Sequence, residues 1–172
     1  MPLNQLQPPF NNVELRRAVL GAVDQTDFLQ GAVGNMDYAK VCKSFLPCGT
    51  PMSTGAGSEV MTGDLAAAKK AVAASGHDGT KAVILSAGDN PIVSACSNVT
   101  AELFRKIGIT PIQVMGIATM SRRRTSMEPV ADGGWSVFVA YGESAQFSNP
   151  STHIALRVVE KRCGLVGRRT RS

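Results

Sequence analysis

An α/β fold on parallel strands is what this sequence predicts, and three observations predict it. "KAVILSA" is a short apolar run that suits a buried strand, "PIQVMGI" reads as the next strand, and a well-punctuated helical stretch separates them. Strand, helix, strand in that order is a βαβ unit, whose strands run parallel through a right-handed crossover. A further helical stretch at 118–127 then precedes "GGWSVFVAYG", the third strand candidate.

The elements follow in order. "PPFNNVELRRAVLGAVDQTDFL" opens as an extended dipeptide feeding two helices. Leu15, Ala18, Val19, Ala22 and Val23 recur at helical spacing and form one apolar face. Asn11 or Asn12 caps that helix by accepting a hydrogen bond from a free backbone N–H. Asp24 reads as the cap of a second helix, with Phe28, Leu29, Ala32 and Val33 inward and a stop near Gly34. Residues 35–63, rich in Gly, Pro, Ser and Thr, read as loop. In "GDLAAAKKAVAASGHDGT", Asp64 caps a third helix at the positive end of its dipole, Leu65, Ala68 and Val72 line its face, and Gly76 supplies a left-handed stop. Asn90-Pro91 opens the helix between the first two strands, with proline where no N–H is missed. Val93, Cys96, Thr100, Leu103, Phe104 and Ile107 give it a buried stripe, and Gly108 ends it. The leading "MPLNQLQ" reads as neither a first strand nor an export signal, which needs a basic region followed by an apolar one. A three-stranded sheet is thin, and its edges are expected to need partners.

Charge is unevenly placed. Of 18 Lys and Arg and 13 Asp and Glu, six basic residues and one acid fall in "RVVEKRCGLVGRRTRS", so residues 1–156 are neutral and the net charge of +5 belongs to the end. A solvated, disordered tail is the expectation for 158–172. The alternative function class, a nucleic-acid-associated α/β protein, would use that Arg-rich tail for non-specific phosphate contact. No stretch approaches the ~18 apolar residues of a membrane span. The four cysteines include no C-x-x-C pair, and His77 and His153 are remote from them, so no metal site and no cofactor are expected. Cys42 and Cys48, in "VCKSFLPC", fit a small disulfide in an oxidising compartment and two free thiols otherwise. Cys96 reads as a small core residue.

Catalytic signatures are missing. The chain has no G-x-S-x-G elbow, no P-loop, no H-E-x-x-H and no G-x-G-x-x-G at a strand end, so no enzyme is expected. "GHDGTK" follows a helix stop, where it makes a turn and cannot cradle phosphate at a helix N-terminus; His77 is expected exposed there. His153 is expected in a surface or half-buried structural role. Arg122, Arg123 and Arg124 fan around a helix axis, each expected to find local carboxylates such as Glu128 or Asp132. Trp135, Phe138 and Tyr141 are spaced by three, which on a strand sends some rings to opposite faces; Trp135 and Phe138 are expected in the core, and one ring of the set at a cleft.

Taken in register, these segments resemble one family. "PPFNNVELRRAVLGAVDQTDFLQGAVG" is similar to the segment that enters the second lobe in solute-binding proteins of peptide-type ABC importers, the dipeptide/oligopeptide-binding family (solute-binding family 5). The shared pattern places Val13, Arg16 or Arg17, Ala18, Ala22, Val23 and Asp24. "GDLAAAKKAVAASGHDG", "SNVTAELFRKIGI" and "ATMSRRRTSMEPVADGGWSVF" resemble its later helices and strand, so the likeness covers about residues 4 to 157.

The resemblance implies a fold and a role. Residues 1–157 would be the second-lobe portion of a two-lobed, type II periplasmic binding protein-like fold, closing over a peptide or other small solute and presenting it to an ABC permease. It implies a periplasmic location, a preceding first lobe and export signal that this chain lacks, and little binding by this part alone. After Arg157 the likeness stops, and the basic shift suggests a remnant of a split or frameshifted gene. In the family a Trp and then an Asp meet the ligand's ammonium; here Tyr141 stands for the ring and Glu143 or Gln146 for the acid. Recognition of specific nucleic acid is not implied.

Overall fold

The computed structural model describes residues 1–125, 128–142, 144–151, 153, 158–159 and 162–163. Its helices are α1 (Val13–Ala22), α2 (Gln25–Val33), α3 (Leu65–Ala74), α4 (Pro91–Ile107), α5 (Ile117–Thr125) and α6 (Ser144–Phe147); its strands are β1 (Ala82–Ser86), β2 (Pro111–Met115), β3 (Val137–Phe138), β4 (Val158–Val159) and β5 (Arg162–Cys163). Helix starts follow the side-chain chemistry. Asn12 Oδ1 accepts the N–H groups of Glu14 at 2.9 Å and Leu15 at 3.3 Å, and its Nδ2 donates to Ser75 O at 2.8 Å. One side chain thus caps α1 and ties it to the end of α3. Asn12→Ala is expected to lose about 1 kcal/mol, read as a lower thermal midpoint; an unchanged midpoint would count against this double role.

Asp24 caps α2, and the N–H and then the hydroxyl of Thr26 hold its carboxyl below the ordinary range. A lowered folded pKa stabilises above the unfolded value of about 3.9, and that contribution is lost as pH falls through the lowered pKa. α2 itself is less buried than its pattern implies. It packs chiefly on α4, where a Cβ on Gly31 would come within 3.2 Å of Val99, so one neighbour covers only a narrow stripe. Phe28 reaches the core edge, while Val33, expected inward, is 46% exposed.

The sheet runs β2–β1–β3 with both pairings parallel. All five residues of β1 are buried, as a central strand covered on both faces requires. Alternation assigns its side chains to two clusters. Ala82 and Ile84 join Phe10, Leu15, Val19, Val72, Phe104 and Ile107 of the helical layer, with the Phe10 and Phe104 rings 5.6 Å apart. Val83 and Leu85 face Trp135 and Phe138, with Val114 and Met120 packed alongside. α4 therefore covers one face and α5 the other. Gly108, at φ +90°, provides the left-handed turn that ends α4 and lets Ile109 N donate back to Phe104 O at 2.8 Å.

Several sequence expectations are corrected here. Trp135 and Phe138 lie on the same side, rings 5.3 Å apart edge to face. Regular pairing begins only at Val137, so strand alternation does not extend to Trp135. The approach is tight: a Cβ on Gly134 would collide with the backbone of Glu128 and Pro129. The first residues form no strand, but they touch the β3 edge through one isolated bridge. Leu3 bridges Val137 antiparallel, Asn4 N donates to Ser136 O, and Asn4 Nδ2 donates to Trp135 O. The β2 edge keeps Ile112 and Met115 exposed. His77 is not exposed: its side chain is 5% accessible, with Nδ1 3.9 Å from Asp78 Oδ1 and Nε2 buried without a partner among the described residues. Arg124, expected beside a carboxylate, lies with Cζ 5.6 Å from the Phe138 ring centroid. β4 and β5 pair antiparallel; the rest of 158–172, with its expected disorder, lies outside the described residues, as do 126–127 at the expected end of α5.

Candidate functional site

The chain order of the sheet creates a crevice. From β1 the chain passes through α4 to β2 on one side, then through α5 on the other face to β3 on the opposite side. The loops leaving the carboxyl ends of β1 and β3 lie side by side, and ligands of open parallel sheets bind outside strand carboxyl ends. Residues 87–90 follow β1 and residues 139–142 follow β3. Across the gap Asn90 Nδ2 donates to the Tyr141 hydroxyl at 3.5 Å. Asn90 also caps α4, its Oδ1 accepting Val93 N at 3.0 Å, so a helix start and a strand end are joined through one side chain. At the end of β1, Ser86 Oγ is buried and has no partner among the described residues.

Beside Tyr141 lies a cavity of about 420 Å³, walled by Phe45, Leu46, Phe138, Tyr141, Phe147 and His153. The His153 ring is stacked on Phe45 at 4.8 Å and meets Phe147 edge-on at 5.1 Å. At 6% exposure it is buried, not the surface or half-buried residue expected, because two aromatic rings enclose it. Tyr141 is 67% exposed at the rim.

The loop carrying Phe45 and Leu46 is held at both ends. Cys42 and Cys48 are joined, S–S 2.08 Å, and the Gln25 side chain clamps Cys42 by donating to its O at 2.8 Å and accepting its N–H at 2.9 Å. Cys96 is a free thiol, half-buried at the core edge, and burial pushes its pKa up. A protonated, half-buried thiol is a poor nucleophile.

Of the residues singled out from sequence, Tyr141 lines the cavity. Gln146 is exposed on α6, with Oε1 3.3 Å from where a Cβ on Gly142 would stand, so it sits next to Tyr141 without lining the cavity. Glu143 lies outside the described residues. Sequence reasoning missed Asn90 as a partner of Tyr141, and Phe45 and Phe147 as walls. A large apolar residue inside the short cysteine-bounded segment "KSFLP" was the available signal for Phe45. A slightly larger cavity, about 460 Å³, lies between α2 and α4 and is lined by Asp27, Phe28, Val99 and Glu102 among others. It opens on the helical surface, away from the strand ends, and has no residue in common with the crevice.

Similarity to known proteins agrees with this fold. The chain is 34% identical over 160 residues to a probable peptide ABC transporter periplasmic-binding protein of Sinorhizobium fredii, covering 90% of this chain and 30% of that protein. Among solved structures, the ABC transporter substrate-binding protein CtaP of Listeria monocytogenes superposes with a TM-score of 0.76 at 23% identity, over 92% of this chain and 32% of that one. Clavulanic acid biosynthesis oligopeptide binding protein 2 superposes at 0.66 and 23% identity, over 90% and 29%. The chain thus spans about a third of the length of these relatives. The family model for bacterial extracellular solute-binding proteins, family 5 middle, matches residues 1–155 and stops before the Arg-rich tail on which the nucleic-acid alternative rested. With the α/β architecture and that match in agreement, this chain belongs to family 5 of the bacterial extracellular solute-binding proteins.

Proposed function

We propose that this chain supplies one wall of the solute cleft of a peptide-type ABC import system, outside the cytoplasm, and holds the solute for a membrane permease without chemistry on it. The observation that carries the reading is the Asn90–Tyr141 contact, which bridges the crevice at the carboxyl ends of β1 and β3 above an aromatic cavity. The family match and a relative named as a peptide ABC transporter periplasmic-binding protein support it. In this reading the Tyr141 ring packs on the solute. Glu143 is the neighbour able to neutralise a solute ammonium, whereas Gln146 offers only an amide oxygen as acceptor. The opposing first lobe would complete desolvation of the solute.

One wall leaves a solute half in water, so the isolated chain is expected to bind weakly. Calorimetric titration with mixed short peptides should give no micromolar binding; a micromolar signal would show that this wall suffices. At millimolar peptide, amide resonances of Asn90, Tyr141 and Gly142 should shift, and shifts confined to the α2–α4 cavity would overturn the placement. Tyr141→Ala should weaken that binding about three- to tenfold, the worth of one aromatic contact. Equal affinity in the variant would remove Tyr141 from the site.

A further inference from the structure

Resting on the reading above, we infer that the cavity beside Tyr141 receives one aromatic or similarly large apolar side chain of the solute. Its volume, about 420 Å³, is near the low end of ligand pockets, roughly 300–1,000 Å³, and suits one side chain better than a whole peptide. The walls set the chemistry. The Phe45 ring is 63% exposed although His153 stacks on it at 4.8 Å, so one face is covered and the other stays open. Phe147 closes the far side of His153, and Phe138 and Leu46 complete an apolar lining. An incoming ring therefore meets ring faces and edges, the arrangements aromatic pairs favour.

Charge argues the same way. Among the described residues that line the cavity there is no carboxylate, lysine or arginine; Ser44, Ser144, His153 and the Tyr141 hydroxyl are its polar side chains. Among these described residues a cationic side chain meets no counter-charge, and leaving water without one costs several kcal/mol. The walls are also preset. The Cys42–Cys48 link and the Gln25 clamp hold the Phe45 loop in place, which reduces the ordering cost of binding.

The test uses the full chain, isotope-labelled, with four probes at millimolar concentration: the N-acetyl amides of tryptophan, phenylalanine, alanine and lysine. The tryptophan and phenylalanine probes should shift resonances of Phe45, Ala140 and Phe147 and bind about tenfold more tightly than the alanine probe. Phe45→Ala, at an exposed position, should weaken the tryptophan probe about fivefold and the alanine probe less. Equal affinities, preference for the lysine probe, or no shifts at this cavity would overturn the inference. The two readings fail separately. Short peptides that shift Asn90 and Tyr141 with no side-chain preference sink this inference and leave the transport reading standing. Aromatic probes that bind here while no peptide shifts Asn90 or Tyr141 do the reverse.

Discussion

Phe104→Ala is expected to cost about 3–5 kcal/mol, the largest single effect anticipated in this chain. Phe104 is fully buried on α4, its ring 5.6 Å from that of Phe10, in the cluster where the helices meet β1. Truncation forfeits the transfer energy of the ring and leaves a cavity that its neighbours on α1, α3 and α4 cannot close without breaking their own contacts. Domains of this size are stable by only about 5–15 kcal/mol, so the variant should lose a fifth or more of its resistance to urea. The control is Ile112→Ala on the open β2 edge, where the side chain is 40% exposed and the denaturation midpoint should move far less. If the two variants melt alike, the helical layer is not the cooperative core described above.

Opening the Cys42–Cys48 link should have the second-largest effect, and it couples stability to the site. For a loop this short, chain entropy alone predicts a loss of about 2 kcal/mol when the cross-link is removed. The Cys42→Ser, Cys48→Ser double variant, or the wild type with reductant, should show a lower thermal midpoint. Adding reductant to the double variant should change nothing further. Gln25 still holds Cys42 through two hydrogen bonds, so the loop end near α2 should persist while Phe45 and Leu46 gain freedom. The Phe45–His153 stack should loosen accordingly, read as narrower chemical-shift dispersion of both rings. A midpoint unmoved by reductant would mean that the link does not stabilise the loop.

Local chemistry was legible from residues alone. Asn12, Asp24, Asp64 and Asn90 each cap the helix their position announces, because a short side-chain acceptor beside free N–H groups acts within a few residues. The apolar runs 82–86 and 111–115 and the helix between them declare a parallel pair, since so short a crossover leaves little choice. Family membership was legible too, through motifs held in order.

Contacts between distant segments were not, because no local signal encodes them. Whether β3 joins β1 or β2, and hence where the crevice opens, depends on which face α5 covers, and that depends on packing across the whole sheet. The N-terminal residues pair with β3 through backbone groups, which carry no residue signature. His153 reads as polar in the chain and is buried between two phenylalanines brought from the 42–48 loop and α6. Sequence by itself determined α1–α5, β1–β3, the caps of α1–α4 and the family. Tertiary structure alone decided that Tyr141 meets Asn90 and that Phe45 stacks on His153, because those contacts join residues separated by tens of positions and exist only once the core has closed.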